Sequence, residues 1–238
     1  MEIYVNEIKK NPKLIARLID HTNVNPNSTK HDIEKLVKEA KKYNFYSIVV
    51  LPYHVKFAKK LIKNTEIKLV TVIGFPFGVQ TTDAKIQEIK DAYKYVDEFD
   101  IVMNRPAFKS KDYSYVLNDL KKVVESARGK ITKVIIETPE LTSNETYKAS
   151  KIVLKAGANF VKTAVGLKGP AKPTHIKIMK KAVGNKIKIK ASGGIRDFNS
   201  ALKFLRAGAS RIGASHSVDI IKSAFQKIKV KRQKYFHE

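Results

Sequence analysis

The sequence predicts an α/β fold, a single-domain (β/α)8 TIM barrel. Three observations point there. Short apolar runs alternate with longer segments of helical period from one end of the chain to the other. Strands alternating with helices imply a parallel sheet, and eight such units are the number that closes a barrel. No Gly-x-Gly-x-x-Gly follows the first run, as an open doubly wound sheet of the dinucleotide-binding kind would show. A length of 238 residues suits one such barrel.

Taken in order, strands are expected at 16–21, 46–51, 68–73, 98–103, 132–137, 159–163, 186–191 and 210–213. Each is a run rich in Val, Ile, Leu or Phe and short enough to be a strand. Helices are expected between and after them, at 30–42, 55–63, 82–95, 113–127, 144–155, 174–183, 199–206 and 219–229, with a further short helix near 6–14. Gly129, Gly157, Gly184 and Gly208 follow apolar-periodic segments, where a helix often ends in a left-handed residue without a Cβ. Asp197 precedes the run from Phe198 to Leu205 and is a candidate N-cap. No linker, low-complexity tract or close repeat interrupts the series, so one domain from 1 to 238 is expected, closing in a basic tail at about 227–238.

Composition removes several classes of function. There is no cysteine, hence no disulfide, thiolate nucleophile or thiolate metal site. The histidines lack a His-x-x-x-His spacing, so neither metal nor cofactor is expected. No apolar stretch is long enough to span a bilayer, and the opening MEIYVNEIKKNPKL has no secretory core or cleavage site; a cytoplasmic enzyme is the expectation. The net charge of +25 comes from 40 Lys and only seven Arg. Nucleic-acid readers favour Arg, whose planar fork meets bases and phosphates in two-point contacts. Here the lysines recur along nearly every helical segment, so they read as solvated faces and as a field that draws anionic substrates. Nucleic acid is not the expected partner.

Chemistry in such barrels gathers at the C-terminal ends of the strands. Lys162 ends the sixth, Asn159-Phe160-Val161-Lys162, and Lys190 the seventh, Ile187-Lys188-Ile189-Lys190. Neighbouring strands lie about 4.8 Å apart, so the two amines can meet in the mouth. There, desolvation and a like charge both favour the neutral amine that attacks carbonyls. On spacing alone, two lysines among 40 could equally reach solvent. Strand seven also poses a puzzle: Lys188 shares the face of Lys190, so it would lie deeper in the barrel and need a partner, for which the Lys133, Ile135 and Glu137 face of strand five is the candidate. Asp100, in the apolar setting Phe99-Asp100-Ile101-Val102, is the candidate acid–base partner or else half of a structural ion pair. Asp20 competes with it, although Arg17 and His21 beside it suggest a structural role. The loops Ser192-Gly193-Gly194-Ile195-Arg196 and Gly213-Ala214-Ser215-His216 follow strands seven and eight, the usual place for a phosphate in this barrel class. A small phosphate ester is the ligand this suggests.

With these residues in view, the chain resembles the deoxyribose-phosphate aldolase family from Leu18 to about Ser217. The matching stretches are TVIGFPFG (71–78), DEFDIVMN (97–104), KVIIET (133–138), FVKT (160–163), KASGGIR (190–196) and RIGAS (211–215). The resemblance implies a class I, metal-independent lyase. Lys162 would form the Schiff base, Lys190 would depress its pKa, and Asp100 would relay protons. Gly193, Gly194, Arg196, Gly213 and Ser215 would surround the substrate phosphate. It implies reversible cleavage of 2-deoxy-D-ribose 5-phosphate to acetaldehyde and D-glyceraldehyde 3-phosphate, a step in deoxynucleotide catabolism, and a homo-oligomer, dimer or tetramer.

The family usually reads Thr-Ser-Thr-Gly after the reactive lysine, whereas this chain has Thr163-Ala164-Val165-Gly166. The next loop carries Lys168 and Lys172, His216 stands where a second Ser is common, and Leu51 where Asn often appears. Two alternatives follow: a class I aldolase for another phosphorylated sugar, or, from a different class, a basic barrel that binds polyanions or nucleic acid through its charge and the lysines of 227–234.

Overall fold

The computed structural model describes residues 2–166 and 168–234. Its strands are β1 (Ile19–Asn23), β2 (Ser47–Val50), β3 (Lys68–Ile73), β4 (Glu98–Val102), β5 (Ile131–Ile135), β6 (Phe160–Lys162), β7 (Lys188–Ser192) and β8 (Arg211–Ala214). All pair in parallel in chain order, and β8 returns to β1, so the sheet closes into the expected eight-stranded barrel with no free edge. Helix α1 (Glu2–Lys10) precedes β1. Then come α2 (Lys30–Tyr43), α3 (Val55–Leu61), α4 (Thr82–Ala92), α5 (Arg105–Lys109), α6 (Tyr113–Ser126), α7 (Ser143–Lys155), α8 (Pro173–Val183), α9 (Phe198–Ala207) and α10 (Ser217–Lys234). The apolar core lies between strands and helices, and the strands are buried on both faces, as a parallel sheet covered by helices requires.

Local chemistry sets the helix ends. Thr29 and Thr142 each accept from the backbone three residues on, while Asp32 and Glu145 reach back to the cap, so α2 and α7 start in reciprocal capping boxes. Asp197 caps α9 as expected, and Gly208 closes it in the left-handed region.

The boundaries differ from expectation where proline intervenes. Helix α1 stops at Lys10 instead of running over 6–14, because a residue before proline avoids the helical region and Asn11 precedes Pro12 (φ −129°, ψ 88°). Pro12–Leu18 then wind into a 3-10 run, which delays the first strand from 16 to Ile19. Helix α5 and the 3-10 turns Pro52–His54 and Thr138–Glu140 were not foreseen; each carries a proline in its first turn, where the missing N–H costs nothing. Strand β5 ends at Ile135 because Glu137 takes a left-handed conformation (φ 57°). Strand β7 begins at Lys188, not at 186. The basic tail lies partly in α10; its last residues, 235–238, and Leu167 lie outside the described residues.

The loop after β3 turns back sharply, with the Gly78 N–H donating to the Gly74 carbonyl at 2.7 Å. Gly78 has φ 73°, and a Cβ there would stand 2.0 Å from the Met103 carbonyl oxygen, a backbone atom that cannot move aside. Gly78→Ala is therefore expected to cost on the order of 3 kcal/mol, seen as a lower urea midpoint at unchanged m-value. An unchanged midpoint would show that the turn relaxes.

Candidate active site

Side chains alternate across a strand, so residues two apart share a face. On β4 this places Glu98 and Asp100 in the lumen, and on β8 Arg211 with Gly213 above it. Register sets Asp100 opposite Lys133 on β5, Lys162 on β6 opposite Lys190 on β7, and Lys190 opposite Arg211. Lys162 and Lys190 are thus neighbours in the barrel, as their strand-end positions predict.

The lumen holds a connected charge network. Asp100 is fully buried; its Oδ1 accepts from Lys133 at 2.8 Å, and its Oδ2 from Lys162 at 2.6 Å and Lys190 at 2.7 Å. The Lys190 ammonium also pairs with Asp20 on β1 at 2.5 Å. Asp20 in turn accepts from Arg211 at 2.8 Å and from the Ser47 hydroxyl at 2.6 Å. Glu98 completes the set below, pairing with Lys133 at 2.6 Å and Arg211 at 3.6 Å and accepting from the Tyr46 hydroxyl at 3.0 Å. Lys190 crosses over β8 because Gly213 has no side chain: a Cβ there would meet Lys190 Cε at 2.9 Å. Gly213, expected at the phosphate, lines the cavity and also makes room for this lysine.

Three carboxylates thus face four cations, all with little or no exposure. Burying charge is expensive unless each ion is paired, and one more cation than carboxylate leaves a surplus. Burial pushes the Asp100 carboxyl up, yet Lys133, Lys162 and Lys190 outweigh it and hold the group well below the usual carboxylate range. Asp20 is likewise held low by Lys190 and Arg211 against its burial. Lys133 sits between acids, which overcome desolvation and raise it. Lys162 goes the other way. Burial outweighs the pull of Asp100, Lys190 adds repulsion, and its ammonium is lowered to about 8. The surplus proton leaves most easily from Lys162.

Of the seven charged groups, Lys162 is the one that lines the cavity above, a hollow of about 660 Å3 at the C-terminal ends of the strands. One wall is apolar, with Val49, Val72 and Phe75. The other is built from the segment after β6 (Ala164 to Gly166), the loop Ser192 to Arg196 and the stretch Gly213 to His216. Gly193 and Gly194 both have positive φ, and a Cβ on Gly194 would meet Pro170 at 2.8 Å. Arg196, Ser215 and His216 are exposed at the rim, where α10 presents its N-terminal end. Lys35 of α2 also lines the cavity, a cation that the sequence did not single out.

The segment from Lys162 to Val165 is fastened from both sides. Ile136 N–H donates to the Lys162 carbonyl at 3.1 Å, Thr138 N–H to that of Thr163 at 2.8 Å, and Val165 N–H to the buried Glu137 carboxylate at 2.8 Å. Burial raises the Glu137 carboxyl. Thr163 and Ser192 exchange hydrogen bonds across β6 and β7, and the Ser192 hydroxyl donates to the Ala164 carbonyl at 2.7 Å.

Several expectations need correcting. Lys188 is exposed at the start of β7, over the Phe160 ring, and needs no buried partner. The deep lysine is Lys133, and Glu137 serves the β6 loop instead. Asp20 is not tied to its sequence neighbours: Arg17 bonds Asn44 and His21 bonds Glu39. Glu98 and Arg211 were missed, and Lys133 was placed on a shared face of strand five without its ion pairs to Asp100 and Glu98. Their signal was charge placed on alternate positions of runs that a two-sided buried strand should keep apolar. Among the described residues, no cluster of His, Asp and Glu is arranged to hold a metal ion.

A closed barrel with a buried lysine at the floor of a cavity is the arrangement that an aldolase working through a lysine requires. The chain belongs to the DeoC/LacD family of aldolases, whose family model it matches over residues 14–223. A deoxyribose-phosphate aldolase of Caldicellulosiruptor saccharolyticus is 49% identical over 214 residues, 88% of this chain and 97% of that protein. Another, of Dictyoglomus turgidum, is 45% identical over 210 residues, 87% and 95% respectively. Among solved structures, a deoxyribose phosphate aldolase from Aeropyrum pernix, described as tetrameric, superposes with a TM-score of 0.85 at 28% identity, covering 94% of this chain and 97% of its own.

The charge count gives a test. Lys190→Met removes the surplus cation, so Lys162 becomes the third partner of three carboxylates and should keep its proton to higher pH. The neutral amine exists above the folded pKa and vanishes below it. The acid limb of imine formation with a simple aldehyde should therefore move up by about one unit or more, a loss of about tenfold near neutral pH. A limb that stays in place would refute the count.

Proposed function

We propose that this chain reversibly cleaves 2-deoxy-D-ribose 5-phosphate to acetaldehyde and D-glyceraldehyde 3-phosphate through an imine on Lys162. The observation that carries the proposal is the Lys162 amine, lowered to about 8 and open to the cavity while its charged neighbours are sealed beneath it. Such an amine is neutral often enough near pH 7 to attack the C1 aldehyde. Loss of water leaves an iminium. The C3 hydroxyl then gives up its proton, C3 becomes an aldehyde carbon, and the C2–C3 bond electrons pass into the enamine. Protonation at C2 and hydrolysis release acetaldehyde and restore the amine.

Asp100 is the proposed acceptor of the hydroxyl proton, by way of a water, and Lys190 holds it in place. Electrostatics favours this pairing. As the bond breaks, the iminium loses its positive charge and Asp100 its negative one, so the net charge of the lumen does not change. The phosphate is proposed to sit against Gly193, Gly194, Arg196, Gly213 and Ser215 near the N-terminus of α10, which anchors the far end of the sugar. The apolar wall of Val49, Val72 and Phe75 suits the deoxygenated end. We further propose that the chain is one domain and forms a homo-oligomer; the tetrameric description of the Aeropyrum pernix relative supports the latter. Among the described residues, no helix is long and apolar enough to cross a membrane.

Incubation with acetaldehyde and borohydride should add one ethyl group at Lys162. Lys162→Ala should lose both labelling and turnover, a fall of several orders of magnitude in kcat, and persistent turnover in that variant would defeat the assignment. A second reading, a longer sugar phosphate as substrate, is favoured by Ala164 and Val165, which leave the cavity wall without the two usual hydroxyls. In a panel of sugar phosphates, the 2-deoxypentose should have the highest kcat/KM; a longer sugar turned over equally well would select the second reading.

A further inference from the structure

A second hollow, of about 600 Å3, lies at the opposite end of the barrel, where α3 turns into β3 beside the chain entering β4. Lysines dominate its lining: Lys56, Lys59 and Lys60 on α3, Lys63 in the turn that ends it, and Lys68 at the start of β3. The spacing i, i+3, i+4 places Lys56, Lys59 and Lys60 on one face of α3, and Lys63 follows in the turn beyond it, a row of about 10 Å. None of the five makes a salt bridge among the described residues, in contrast to the lysines of the lumen. The one carboxylate on the groove, Asp97, accepts instead from the Leu69 N–H at 2.8 Å. Like charges at this spacing repel one another, an arrangement that an anion laid across them reverses.

We propose that this groove binds a chain of phosphates, either free polyphosphate or the polyphosphate tail of a nucleotide. Each ammonium is a mobile point charge with three donors, suited to phosphate oxygens and indifferent to their exact angle. A row of about 10 Å is longer than one phosphate group and fits three or more in series. The groove contains no Arg to read a base edge and a single aromatic ring, that of half-buried Tyr95, which Lys56 and Lys94 already approach at 5.7 and 5.0 Å. Recognition would therefore rest on charge. The groove faces away from the cavity above Lys162, so occupancy should not compete with the sugar phosphate.

Because the chain carries 40 Lys, the test must separate this groove from lysine in general. The whole protein is titrated calorimetrically, at physiological salt, with sodium tripolyphosphate and separately with a nucleoside triphosphate. Two variants are compared: Lys56→Gln/Lys59→Gln/Lys63→Gln, and the control Lys41→Gln/Lys121→Gln/Lys122→Gln on other helices. Unchanged aldolase turnover certifies that each is folded. The proposal expects saturable one-to-one binding, weakened at least about tenfold in the groove variant and retained in the control. Equal affinity for both ligands identifies the phosphate chain as the whole determinant; tighter binding of the nucleotide identifies it as the ligand. Absence of saturable binding, equal loss in both variants, competition with the sugar phosphate, or binding of a single-stranded oligonucleotide alone would each overturn the proposal.

Discussion

Everything at the centre of this barrel depends on charges held almost wholly out of water, with Lys162 alone among them meeting the cavity. Asp20, Glu98 and Asp100 lie in the lumen with Lys133, Lys162, Lys190 and Arg211, and their ion pairs bind β1, β4, β5, β6, β7 and β8 to one another. Such a set is a poor source of stability, since well-packed apolar groups would do as well or better. What it supplies is a fixed electrostatic count. Any proton gained or lost must be answered by a partner, because no solvent is at hand to screen it. The surplus positive charge falls on the group whose carboxylate is shared with two other ammoniums and whose own burial is least compensated, and that group is Lys162.

The other half of the lumen explains why the network is useful. Strands β2 and β3 contribute Val49, Val70 and Val72, so the cavity has an apolar side and a charged floor. In the proposed reaction the carbonyl lies between them, and the phosphate is left to the glycine-containing segments at the rim. Gly213 links these tasks. Its missing side chain gives Lys190 a path to both Asp20 and Asp100, and without that path the floor would lose its crossing point.

Much of this was legible in the sequence. Apolar runs of strand length, separated by helical periods, gave the eight units and their order, because that pattern reports burial directly. Lys162, Lys190 and Asp100 stood out because a charge at the end of an apolar strand is conspicuous. Lys133, Glu98 and Arg211 did not, since their meaning lies in contacts made across the lumen only after the barrel closes. Lys188 misled for the same kind of reason: the period of two says which face it takes, but not that β7 begins there and leaves it in solvent. The shift of α1 and the appearance of α5 were in principle readable from Pro12 and Pro106, had proline been weighed against the apolar pattern.

The central claim concerns one ammonium group, and it can be observed directly. With lysine labelled at Nζ by 15N, nuclear magnetic resonance titration follows each buried lysine separately, and Lys162→Met identifies the signal of that residue. A single lumen resonance titrating near 8, absent from the variant, is the expected result. If the signal of Lys162 instead titrates in the ordinary lysine range, near 10.4, or if the early-titrating signal belongs to Lys190, the account of the site is wrong.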